Sequence, residues 1–183
     1  MMELSKRVKG ALDGLASSDL SSRVGAVEEL AACSSAIAAH VAASFEVDEE
    51  ARFLIFERLG RFGSLMIEPM ERVYQQADDH SLKLMSASAL LYLGSKVGVS
   101  SLMAAIRPED PNLYMATISL ASAGFSEAAE PIESALLECE ISDTQTLECL
   151  VSSLRKLNYP MSDRVRLRLS EVEPKWLRDS LLD

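Results

Sequence analysis

The sequence predicts an all-α protein built from stacked helical repeats, on three observations. The 183-residue chain is 48% apolar but only 5% aromatic, and its richness in Ala, Leu and Ser suits helices. Two octets are near copies, Ile67 to Tyr74 (IEPMERVY) and Ala129 to Leu136 (AEPIESAL), 62 residues apart. A third version, Val99 to Ile106 (VSSLMAAI), starts 32 residues after the first and 30 before the last. A period of about 31 residues marks a stacked-repeat array. Finally, helix stops recur at intervals of 34, 30 and 34 residues, each with a helix start upstream. The length suits one domain with a continuous core.

Residues 1–18 are expected to form an N-terminal cap helix, and 19–170 about five helical hairpins. In the first hairpin Asp19 caps SRVGAVEELAA, with Val24, Val27 and Leu30 on one face, and Ile37 and Val41 begin a second helix. The later units start at Asp48, Asp78 or Asp79, Asp110 followed by Pro111, and Asp143. Asp accepts from the first free amides of a helix, and Pro fits a first helical position. Their first helices stop at Leu59-Gly60, Leu93-Gly94, Ala123-Gly124 and Leu157-Asn158, where Gly or Asn takes the left-handed conformation past a helix end. The octets then open the second helices, with apolar residues at three- and four-residue steps. Pro69 and Pro131 fall in or near the first turn, where a missing N–H costs little. MSDRVRLRL is read as the fifth unit's second helix rather than a strand. Residues 171–183 form a capping helix, with Trp176, Leu177 and Leu181 covering the last repeat.

The unit resembles a HEAT repeat, the helical hairpin of curved solenoids. LGSKVGVSSLMAAI (Leu93 to Ile106) is similar to the family's Leu-Gly, short turn, then Val, Leu and Leu along the inner helix, and AGFSEAAEPIESAL (Ala123 to Leu136) follows it too. Arg23 after Asp19 and Arg52 after Asp48 match the family's Asp and Arg positions, whereas the later units carry Met, Ala and Glu or Leu there. The resemblance covers roughly residues 19 to 170. It implies a right-handed α-α superhelix whose second helices line the concave side.

Charge bounds the partner. Net charge is -10, and between Arg107 and Arg155 there is no Lys or Arg among nine Asp and Glu. Such a stretch repels nucleic acid, which needs cations against its phosphates. Cys33, Cys139 and Cys149 have neither paired nor zinc-finger spacing, so reduced, buried thiols are expected. The N-terminus lacks a signal-peptide run, and no run approaches the roughly 18 apolar residues of a membrane span. A cytoplasmic protein without membrane contact is the resulting expectation.

Chemistry is sparse. His40 and His80 lie in different repeats without metal-ligand spacing, and no nucleotide-binding or nucleophile motif occurs. No catalytic, metal or cofactor residue is therefore assigned. The candidate partner-binding residues are acidic or aromatic: Glu68 and Glu71 with Gln75 on one second helix, and Glu127, Glu130 and Glu133 around another. Glu68/Glu71 and Glu130/Glu133 are i, i+3 pairs that share a face. Phe125 and Tyr159 follow helix stops in equivalent turns, where exposed aromatics favour binding.

The expected function is non-catalytic binding of a basic protein through this acidic surface. Small acidic proteins without enzyme motifs resemble bacterial immunity proteins, some of them HEAT-like, that neutralise basic, nuclease-like toxins. Scaffold or assembly factor is the alternative. The resemblance also admits HEAT-like enzymes, a bilin lyase or an alkylpurine DNA glycosylase, although the glycosylase needs a basic concave face. Oligomeric state is left open by the sequence.

Overall fold

The computed structural model describes residues 2–182, and it is all-α. The described residues form eleven α-helices and three short 3-10 turns, with no strand among them. The chain divides into two compact units, residues 1–73 and 74–183.

The first unit contains α1 (Met2–Leu15), α2 (Leu20–Val47), α3 (Glu49–Arg58), the 3-10 turns Leu59–Arg61 and Gly63–Met66, and most of α4 (Ile67–Gln76). Helix α1 folds back on α2, and Arg7 Nε meets Glu29 Oε1 at 2.6 Å. Both side chains are partly exposed, so this pair sets register more than stability. Asp19 and Asp48 cap α2 and α3 as the sequence predicts, accepting from the amides of Ser22 and Ala51. Arg52 closes the other end of α2, donating to the carbonyls of Phe45 and Glu46 at 2.9 and 3.0 Å.

Two expectations for this unit are corrected. The hairpin with a break before Ile37 is absent, because α2 runs unbroken for 28 residues. Ser34 and Ser35, just before Ile37, bond back to the carbonyls of Leu30 and Ala31 and stay helical. Gly60 lies in a 3-10 turn, and the left-handed residue is Gly63, with φ +56°. Helix α2 is also long and apolar enough to cross a membrane by length and average composition alone, a test that the core helix of a folded protein passes too. Its best 18-residue window has a mean hydropathy of 1.4 and is only 22% buried. Alanines raise that average without forming an uninterrupted run of large apolar residues.

The second unit contains α5 (His80–Tyr92), α6 (Val99–Ala104), α7 (Leu113–Ser122), the 3-10 turn Ser126–Ala128, α8 (Ala129–Glu138), α9 (Thr144–Lys156), α10 (Asp163–Leu169) and α11 (Lys175–Leu182). The first helices α5, α7 and α9 pack in series, and α8 packs against both α9 and α10. One core runs through them, with Leu84, Leu102, Leu120, Ile132, Leu150 and Val165 all fully buried. Truncating any one of these to Ala costs about 2–5 kcal/mol.

Helix stops in this unit share one geometry. Gly94, Gly124 and Asn158 have φ of +87°, +68° and +54°. After each, the next amide reaches back to the carbonyl five residues earlier, Ser95 to Leu90, Phe125 to Leu120 and Tyr159 to Leu154. The stop residue's own amide bonds to Leu91, Ala121 and Arg155 respectively. This is the Schellman pattern, which satisfies the last carbonyls of a helix.

The first helices are also stitched to one another by polar side chains about thirty residues apart. His80 Nε2 lies 2.9 Å from Asp110 Oδ2, Ser81 Oγ donates to Asn112 Oδ1 at 3.0 Å, and Ser119 Oγ donates to Ser88 Oγ at 3.0 Å. Tyr114 and Thr146 hydroxyls meet at 3.2 Å. Asp79 and Asp143 cap α5 and α9. Asp110 does not cap α7, which begins two residues after Pro111. Its carboxylate instead receives the Asn112 amide at 2.9 Å and faces His80.

MSDRVRLRL yields helix α10, capped by Ser162. In α11, Leu177 and Leu181 are buried as expected, but Trp176 is 69% exposed. Trp176 precedes Leu177 directly, and neighbouring helical positions diverge by about 100°.

Candidate functional site

The acidic edge of the second unit begins at the Gly124 stop. The Schellman turn fixes Phe125, which packs half-buried on the core, and the 3-10 turn then carries Glu127 into solvent. Glu127 accepts from the neighbouring Ser126 hydroxyl at 3.3 Å. Glu130 follows in the first turn of α8 and is exposed.

Glu133, one helical step later, is half-buried and engaged. Its Oε1 accepts from the Ser162 amide at 3.1 Å and its Oε2 from the Tyr159 hydroxyl at 3.4 Å. This carboxylate therefore fastens α8 to the turn before α10. The Glu133 charge, with burial and the charge of Glu130, holds the Tyr159 phenol above its usual range. Tyr159 itself packs against the core in the position equivalent to Phe125. The structure thus gathers Glu130, Glu133 and Tyr159 into one negative locus, and Phe125 and Glu127 lead into α8 from its N-terminal side.

The other predicted residues lie apart in the sequence and fall differently. Glu68 and Glu71 belong to the first unit, and Gln75, on the same helix α4, to the second. Glu68 is exposed and accepts from Arg72 Nη2 at 3.3 Å, an i, i+4 pair. Glu71 is half-exposed, and Gln75 is exposed.

Sequence reasoning missed a groove of about 440 Å³ between α7 and α9. Tyr114 and Ile118 line one wall, and Glu148, Cys149 and Lys156 the other. Lys156 Nζ closes one end by donating to Ser122 Oγ at 2.9 Å. The signal was present in Ile118, a large apolar residue that is 52% exposed, but telling an exposed from a buried helix face needs the neighbouring helix. Burial pushes the Cys149 thiol up, which keeps it protonated and weakly nucleophilic. Among the described residues, no group of three or more His, Cys, Asp or Glu could hold a metal ion. No family model, curated protein or solved structure matches the chain.

Proposed function

We propose that the chain is a binding protein without catalytic activity, a HEAT-like right-handed α-α superhelix that offers the α8 edge to a basic protein partner. In its most concrete form it is a cytoplasmic immunity protein that neutralises a basic, nuclease-like toxin by direct contact. The observation that carries this reading is the convergence on Tyr159 of Glu130 and Glu133, which belong to a stretch of 47 residues that lacks any Lys or Arg. Negative charge beside an amphipathic aromatic side chain is suited to steer and hold a cationic surface.

The test is affinity capture from the native host, followed by titration of the recovered partner at low and high salt. A basic protein should be recovered and its binding should weaken with salt. Glu127→Lys with Glu130→Lys should weaken it by about tenfold or more. These two positions are chosen because Glu133 also holds the fold together. Recovery of no basic protein, or unchanged affinity after charge reversal, overturns the reading.

A further inference from the structure

The first unit leaves half of one helix face bare. Along α2, Leu20, Val24, Val27 and Ala31 succeed one another at steps of four, three and four, the spacing of a coiled-coil seam. The same stripe continues into Ala38, Ala42 and Phe45, which are buried within the unit. Its first half has no such cover, and Leu20, Val24 and Val27 are 68%, 49% and 57% exposed. With Leu15 they form an apolar groove of about 500 Å³ whose remaining lining is Arg23 and Glu28.

Those two charges identify the occupant. Arg23 directly precedes Val24 and Glu28 directly follows Val27, so they flank the seam on opposite sides, five residues apart. In a parallel helix pair these are the two positions that meet across the seam. A second α2, laid parallel about a two-fold axis, sets Arg23 of each copy against Glu28 of the other. An antiparallel pair would set the Arg23 side of one copy against the Arg23 side of the other, so Arg23 and Glu28 would lie on opposite sides of the seam and not meet. A twofold interface must be self-complementary, and this face is so only in the parallel sense. A bilayer surface has no use for that pairing.

We propose that the protein self-associates through α2, with Leu20, Val24, Val27 and Ala31 of two copies forming a short parallel seam closed by two Arg23–Glu28 pairs. The seam covers less than two heptads, so the dimer is weak, with Kd on the order of 10 μM. Sedimentation of the full chain from about 1 to 100 μM should show a concentration-dependent dimer. Arg23→Glu and Glu28→Arg should each weaken it about tenfold, and the double swap should restore it, since the reversed pairs meet in the same geometry. Val24→Cys in a Cys149→Ser background should oxidise to a covalent dimer, because a parallel seam sets Val24 against Val24, whereas an antiparallel overlap of Leu20 to Ala31 sets it against Val27.

A monomer at every concentration overturns the proposal. So does a dimer indifferent to the charge variants, or one in which the Val24→Cys chain fails to cross-link. Flotation of a monomeric chain with lipid vesicles would assign the face to a membrane instead. Folding of each variant is checked by far-UV circular dichroism.

Discussion

Glu133 and Glu130 sit one helical step apart on α8. Only Glu133 bonds the turn before α10, through the Ser162 amide and the Tyr159 hydroxyl. We expect Glu133→Ala to cost about 1–2 kcal/mol in urea unfolding and Glu130→Ala less than about 0.5. Equal losses would mean that Glu130 also holds the fold. Asp110 makes a pH-dependent contribution. Burial would raise its pKa, but hydrogen bonds from Asn112 and His80 outweigh that and hold it below the ordinary value. A lowered folded-state pKa stabilises the protein above the unfolded value and is lost as pH falls through the folded one. The stability gap between the parent and Asp110→Asn should therefore be wide near pH 6 and close below about pH 4. A gap that stays constant with pH would contradict this.

At the scale of elements, what was legible in the sequence was what is local. Asp79 and Asp143 cap helices because cap and amide lie within one turn, and Gly94, Gly124 and Asn158 stop them for the same reason. The continuity of α2 was not legible, because Ser34 and Ser35 can either break a helix or bond back to it, and packing decides. Glu133 was legible as an acid but not as a fastener, since its partners are 26 and 29 residues away. Gly98 shows how much a single turn can constrain. At φ +85°, an added Cβ would stand 2.6 Å from the Ala87 Cβ and 3.0 Å from the Tyr74 ring. Gly98→Ala should cost about 3 kcal/mol, from left-handed strain and overpacking together. Gly124→Ala, with open space around it, should cost about 1 kcal/mol. Thermal or urea denaturation separates the two, and equal costs would remove the steric argument.

At the scale of the whole molecule, the two units differ in how much apolar surface they hide. Of the fourteen exposed large hydrophobic residues among those described, ten lie in the first unit, and α3 buries none of its side chains. Local stability follows buried apolar contact. Hydrogen exchange in the monomer should therefore run fastest in α3 and the first half of α2, and slowest in α5, α7 and α9. Uniform protection across the chain would argue against this ranking.

The stitches between helices of the second unit join residues 25 to 34 positions apart. As the chain leaves the ribosome, each helix therefore finds its next partner after about one further hairpin has been made. Folding can keep pace with synthesis, and a half-made chain need wait for no distant segment. Ribosome-bound chains of increasing length should gain protease resistance in steps of about thirty residues. A single late step would show that the unit closes only when complete.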